Sequence, residues 1–435
     1  MACVLLGFGS PAAAYVPKVL RLNGHTGRRV AARAGRPWER TFTSSGPTFH
    51  RHPLADPQPG APITSFSAAK EPLPRMIQVL TNATDIRSLG PAWNQLAERF
   101  GSPLLRHEWF ASCAEAFCPP ARLQLLVARD GNGEISGIAP LALGDLEGTE
   151  TLEILGSSAL YEPTGLLYRD EPALEELISA TRAINRVAVI RRLPLGCPEA
   201  RVFERVWRGR SILTVQAAPA SPWLPIGSCW QEFDDALPSR NKYDLKRAYK
   251  RAQSMGKMET EVLAPAPSDV EAYLGDMSRI EATGWKGRAG TALSLDNQVG
   301  RFFRLYTQRA AAANMLRLGF LRINGQIAAY QMAVEYARRL WLFKVGYDET
   351  FSRCSPGMLL MHQMIKYAFE QRLEAFEFLG TEAQWLRFWT DQVHEHVAVR
   401  VCPLTARSLA AVGRDYSRRL LRLAFGDTPN QPCTP

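Results

Sequence analysis

The residues with the clearest chemical potential lie between Leu340 and Arg372, in LWLFKVGYDETFSRCSPGMLLMHQMIKYAFEQR. An apolar run, Leu340 to Val345, reads as a buried strand. Gly346 opens a turn that carries Tyr347, Asp348 and Glu349, and Ser355, Pro356 and Gly357 close the loop at a helix start. Serine at an N-cap satisfies orphan N–H groups, and proline at the first helical position has no N–H to waste. Met361, Met364, Ile365, Ala368 and Phe369 then recur at helical spacing and predict one buried face. Such a strand–loop–helix leaves amide groups and a partial positive charge at the helix start, which suits a phosphate. A capped core helix that binds nothing fits the same pattern.

The elements that must position this stretch belong to a chain of 435 residues, long enough for two or three domains. Its 46% hydrophobic and 22% charged residues are those of a soluble globular protein with ample core. Cys3, Cys113, Cys118, Cys197, Cys229, Cys354, Cys402 and Cys433 are scattered and match no zinc spacing, which predicts reduced thiols in a cytoplasmic compartment and no metal. No run approaches the ~18 apolar residues of a membrane span.

The net charge of +10 is unevenly placed. Residues 1–75 hold eight Arg and two Lys against Glu39, Asp56 and Glu71, a surplus of seven, which leaves +3 for the rest. DNA is therefore not an expected partner. That Arg/Pro/Gly-rich segment shows no periodicity and is expected to be disordered. An organelle transit peptide is one reading; upstream sequence ahead of a true start at Met76 is preferred.

From Met76 the chain reads as two copies of one pattern. Ile77 to Leu80 is a strand, Thr84 to Phe100 a helix, and a second helix follows Ser102-Pro103 with Trp109, Phe110 and Phe117. Leu123 to Ala128 and Glu134 to Leu143 flank Asp130-Gly131-Asn132-Gly133, a strong hairpin signal. Thr151 to Leu155 and Val187 to Ile190 are strands around a helix at Pro172 to Ile184. In the second copy, helices at Val270 to Ala282 and Asn297 to Ala313 precede a hairpin, Met315 to Ile323 and Gln326 to Val334, about Asn324-Gly325. The order helix, helix, hairpin, strand, helix, strand, met twice, predicts duplicated α/β domains. Expected boundaries are 76–225 for a first, degenerate domain, 226–405 for a donor-binding one and 406–435 for a C-terminal helix and tail. Only the second copy carries Ser-Pro-Gly before its helix.

Between the copies, PSRNKYDLKRAYKRAQSMG places Arg240, Lys242, Lys246, Arg247, Lys250 and Arg251 on a helix with Leu245 and Tyr249 inward. This is either a solvated basic helix or a surface that draws an anionic acceptor, an acidic carrier protein or RNA towards the cleft.

SRNKYDLKRAYKRAQSMG, WKGRAG at Trp285 to Gly290, GYDETFSRCSPGMLL at Gly346 to Leu360 and FEFLGTEAQWLRFW from Phe376 together resemble the CelD/BcsL-type acetyltransferase family, in the FemAB-like branch of the GNAT superfamily. SPLLRHEWF resembles that family's N-terminal portion, so the likeness covers about three quarters of the chain. The resemblance implies tandem GNAT-like domains, mixed sheets flanked by helices. It also implies transfer of an acyl group from acetyl-CoA or another acyl-CoA to an amine or hydroxyl of a small-molecule or saccharide acceptor. By motif position Ser355, Pro356, Gly357 and Met358 hold the donor's pyrophosphate, although the usual Gln/Arg-x-x-Gly-x-Gly/Ala loop is not reproduced. Many relatives carry a lysine after the last core strand; here Leu386 takes that slot.

Thioester acyl transfer needs a deprotonated acceptor, a stabilised oxyanion and close reactants. Backbone N–H groups of Lys344, Val345 and Gly346 are candidates for the oxyanion, Asp348 for the base, and Tyr347 for proton donation to the leaving thiolate. Simple turn chemistry explains Tyr347-Asp348 equally well. Lys286 is a further catalytic candidate that could orient an anionic acceptor, a surface lysine being just as plausible; Trp285, Arg240, Arg247, Gln331 and Glu382 are candidate acceptor contacts, Glu382 also a weaker base candidate. His362 reads as a packed or surface histidine. A non-catalytic binding protein of the same fold and an aminoacyl-tRNA-dependent ligase remain as other classes.

Overall fold

Two tight turns set the register of the fold, which the computed structural model describes over residues 76–119, 121–146, 148–283, 297–406, 408–410 and 413. At the first, Asp130 Oδ1 accepts from the N–H groups of Asn132 (2.9 Å) and Glu134 (3.0 Å), with Gly133 at φ +85°. At the second, Asn324 and Gly325 adopt φ +50° and +78°, the left-handed pair that a two-residue hairpin requires. The expected segments 1–75 and 414–435 lie outside the described residues.

The strands are β1 (Met76–Leu80), β2 (Leu123–Arg129), β3 (Ile135–Leu146), β4 (Thr149–Ile154), β5 (Leu167–Tyr168), β6 (Val187–Pro194), β7 (Ser211–Pro225), β8 (Met258–Leu263), β9 (Leu316–Ile323), β10 (Gln326–Tyr336), β11 (Arg339–Tyr347), β12 (Ala375–Glu377) and β13 (Val393–Pro403). They form one mixed sheet in the order β1-β2-β3-β4-β6-β13-β7-β12-β11-β10-β9-β8, with β5 paired to β3. Helices flank the sheet, so the chain is mixed α/β with a repeated unit. In each half an antiparallel run (β1 to β4, β8 to β11) ends in a parallel partner reached through a helix: β4 with β6, and β11 with β12.

The halves share strands. β13, the last strand, lies between β6 and β7 and pairs antiparallel with both. β7 runs on past β13 and pairs with β12 through Trp223, Leu224 and Pro225. Helices reinforce the junction: on His107–Phe117, Trp109 meets Phe302 at 4.9 Å and Tyr306 at 5.2 Å edge-on, and Glu115 is bridged at 2.7 Å by Arg309 of the Gln298–Ala312 helix. Each edge-to-face pair adds about 0.5–1.5 kcal/mol beyond its burial.

One expected helix is broken. Thr84 to Phe100 forms separate helices, Ala83–Ser88 and Gly90–Ala97, followed by a 3-10 turn at Glu98–Phe100. Pro91, in the first turn of the second helix, accounts for the break: it lacks the N–H that would bond back to Arg87 and continue the first helix.

Candidate active site

The site starts where β11 and β12 part. They pair only over Arg339–Trp341 and Ala375–Glu377. Beyond that, β11 continues through Lys344, Val345 and Gly346, while the other arm turns away through Leu379 and Gly380, both left-handed (φ +56° and +54°). β11 also carries a bulge: Met332 faces Lys344 while Ala333 faces Leu342, leaving Phe343 as the extra residue.

β11 extends to Tyr347, further than the sequence pattern predicts, and Asp348 caps the 3-10 turn Glu349–Cys354. Its Oδ1 accepts from the Thr350 N–H at 2.9 Å and hydroxyl at 2.8 Å. The candidate base therefore commits one carboxylate oxygen to the turn.

Ser355 corrects an expectation. It precedes the Pro356–Glu370 helix, but at φ +51°, ψ +58° its side chain makes no cap hydrogen bond. A capping serine needs an extended backbone to aim its oxygen at the first turn, and a left-handed one aims it elsewhere. The first turn also contains no acidic residue. This helix start therefore keeps its positive end unclaimed by side chains. A Cβ on Gly357 would meet only Tyr347 Cδ1, at 3.8 Å, so the space beside its Cα is open.

The two faces of β10 and β11 differ. Gln331, opposite Val345, faces the Pro356–Glu370 helix and is 1% exposed. Its Nε2 reaches only Met361 Sδ at 3.8 Å, and its Oε1 has no partner. Leaving a buried oxygen unpaired costs about 1–3 kcal/mol, which a bound donor group would recover. On the opposite face a Cβ at Gly346 would stand 2.3 Å from Tyr330 Cε1, so only glycine fits. Tyr330 is fully buried and donates to Glu281 Oε1 at 2.6 Å, and burial drives its phenol pKa well up. Lys344 Nζ lies 4.9 Å from the Phe303 ring centroid on this same face.

The first half contributes a buried charge cluster. A bulge in β6 opposite Ala398 sets Arg192 at φ +53° and turns it fully inward. Its guanidinium donates to the Tyr161 carbonyl (2.6 Å), Ser221 Oγ (2.5 Å) and the Gly380 carbonyl (2.5 Å). Glu162 stands beside it, 3.8 Å from Nη1, and accepts the Gly380 N–H at 3.1 Å. Burial pushes the Glu162 carboxyl pKa up, opposed by Arg192, the Gly380 amide and Lys344. Burial likewise lowers the His396 pKa to about 4, with Arg192 contributing in the same direction.

The remaining candidates are spread. Glu382 is exposed beyond Gly380, and Leu386 is 4% exposed in the core with Trp389, so its slot is one of packing. Met358 is half-buried at the helix start. Arg240 and Arg247 are exposed on the Ser239–Met255 helix, which buries Leu245, Ala248 and Ala252. That helix ends against the loop ahead of Ser355, where Arg251 donates to the Arg353 carbonyl at 3.1 Å. His362 is packed, bonded to Tyr249 (3.0 Å) and Asp234 (2.9 Å), and burial lowers its pKa. Trp285 and Lys286 lie outside the described residues. Glu162, Arg192 and Glu281 were not signalled by sequence: Glu162 is one acid in LYEPTG, and only the sheet order brings it to Gly380. Among the described residues no group of His, Cys, Asp or Glu has the arrangement of a metal site, and no helix is long and apolar enough to cross a membrane.

Residues 239–387 match the family described as an acetyltransferase (GNAT) domain. That span holds the basic helix, the hairpin, the splayed strands and the Ser355 helix, so the similarity to a GNAT domain falls on the second half. No curated protein sequence matches significantly. Solved structures similar to this chain include FemX, at 11% identity over 81% of this chain and 99% of that one, TM-score 0.47. Another is a tandem GNAT protein from the clavulanic acid biosynthesis pathway, at 15% over 76% and 98%, TM-score 0.43. A third is L-PGS from Bacillus licheniformis, at 11% over 76% and 96%, TM-score 0.46.

Proposed function

We propose that this protein transfers an acetyl or longer acyl group from a CoA thioester to an amine or hydroxyl of a small-molecule or saccharide acceptor. The family resemblance points towards an exopolysaccharide precursor. The reading rests on one observation above others: the Pro356–Glu370 helix presents an uncapped, acid-free start while Gln331 leaves a buried oxygen unpaired on the face turned to that helix. The residues present fit the donor. The Gly357 amide would hold its phosphates, helped by the helix dipole, with Met358 beside it although its N–H donates to the Ser355 carbonyl at 3.0 Å, and Gln331 would bond its chain. The thioester supplies an acyl carbon already open to attack. N–H groups along Lys344 to Gly346 would stabilise the oxyanion, and Tyr347 would protonate the departing thiolate.

Calorimetric titration with acetyl-CoA, against wild type and Gly357→Glu, tests this. Binding in the micromolar range, lost when a carboxylate is set at the helix start, is expected. A folded wild-type protein that takes up no acetyl-CoA overturns the reading. A second reading, an aminoacyl-tRNA donor, draws on the exposed basic helix beside the Ser355 loop and on Tyr243, 64% exposed among those charges. Retention of charged tRNA with a steep salt dependence, in place of acetyl-CoA binding, would favour it.

A further inference from the structure

The transfer reaction needs a base, and the splayed strands bring one from the other half of the molecule. Past their paired segment, β11 and β12 leave Lys344 on one arm and Gly380 on the other. Glu162 enters at this level from the loop after β4. Its Oε2 accepts the Gly380 N–H at 3.1 Å and stands 3.8 Å from Arg192 Nη1, while Lys344 acts on it electrostatically from the facing arm. Its Oε1 makes no hydrogen bond among the described residues, and the side chain keeps 13% of its surface open.

The carboxylate is held firmly. Arg192, with no exposed surface, clasps the carbonyl of Tyr161, the residue before Glu162, and the carbonyl of Gly380, to which Glu162 is bonded. One guanidinium thus fixes both the loop that delivers the acid and the strand end that receives it. Of the other carboxylates, Glu377 engages both oxygens, with Arg339 (2.6 Å) and His394 (3.0 Å), while Asp348 Oδ1 is held by Thr350 in its turn and Glu281 Oε1 by Tyr330.

We propose that Glu162, supplied by the first half, is the general base for acyl transfer in the second half. This rests on the CoA-dependent reading of the site. The acceptor's N–H or O–H proton passes to Glu162 Oε1 as the acceptor atom bonds to the acyl carbon. The carbon–sulfur bond then breaks, the thiolate leaves and is protonated, and Glu162 returns its proton to solvent. Burial raises the Glu162 pKa towards the working range of a base, while Arg192 and Lys344, and the Gly380 amide, keep it from rising further. The imidazole of His396 also faces Arg192, from β13, and is neutral above about pH 4.

The test measures thiol release from acetyl-CoA by the full chain, with water and then ethanolamine as acceptor, alongside calorimetric acetyl-CoA binding. Glu162→Gln keeps an oxygen to accept the Gly380 N–H, so the fold is expected to persist, and thermal unfolding checks it. The expected result is a release rate lower by about 100-fold, with acetyl-CoA affinity unchanged and the acidic limb of the pH–rate profile gone. Glu162→Asp should recover part of the rate with that limb restored. An unchanged rate or limb in Glu162→Gln overturns the proposal, as does a wild-type protein that binds acetyl-CoA and releases no thiol. Failure of wild type to bind acetyl-CoA marks the failure of the donor reading itself.

Discussion

The first and second halves solve the same topological problem with opposite electrostatics. Each has a parallel strand pair joined through a helix. In the first, the Glu171–Ile184 helix is closed to anions: Asp170 Oδ1 accepts the Ala173 N–H at 2.8 Å, and Glu171 adds an acid in the first turn. The mouth of its strand pair is crossed by Arg191, ion-paired to Glu153 at 2.6 Å, and by the inward Arg192. In the second half the equivalent helix has no side-chain cap, no first-turn acid and a glycine open to approach. A shared fold therefore does not carry a shared activity. The local charge at the two helix starts is what separates the proposed donor site from the capped helix of the first half.

The comparison can be broken at several points. Removing the brace should have the largest effect. Arg192→Ala strands the Tyr161 and Gly380 carbonyls, Ser221 and Glu162 in a dry interior, and should lower unfolding free energy by about 3–5 kcal/mol in denaturant titration. A loss below about 1 kcal/mol would mean that the cluster is not the brace described. Acidity comes next. His396 stays neutral in the fold down to about pH 4, against an ordinary imidazole value of 6.5. Between those values the unfolded chain binds a proton that the folded chain refuses, so stability should fall as pH drops through that window, by at most about 3 kcal/mol. His396→Gln should flatten that slope, and a slope that survives the change would assign it to other groups. The smallest effect separates the two helix starts. Asp170→Ala should cost about 1 kcal/mol through the lost cap while leaving acetyl-CoA binding untouched. Altered donor affinity in that variant would place a donor function in the first half.

Much of this was legible in the sequence. Asp130 to Gly133 and Asn324-Gly325 announce both hairpins because turn chemistry is local, and the apolar runs of β2, β9 and β11 are local too. The strand–loop–helix around Ser355 could be read for the same reason. What could not be read depends on long-range pairing. Nothing in VHEHVAVRVCP says that this strand inserts between β6 and β7, and nothing in LYEPTG says that its acid meets Gly380. Ser355 misleads as a cap because composition favours an N-cap, whereas the preceding 3-10 turn delivers the chain in a left-handed conformation.

The placement of β13 has a consequence for biosynthesis. Synthesis proceeds from the N-terminus, yet β6 and the greater part of β7 lack their shared partner until Val393–Pro403 has emerged. The first half therefore waits on the ribosome with two strand edges unpaired, and loop closure across up to half of the chain becomes a late step. Nascent chains arrested before residue 393 should be protease-sensitive in β6 and β7 even after the first hairpin has formed. Chaperone dependence should likewise concentrate in that interval, since an unpaired edge templates aggregation.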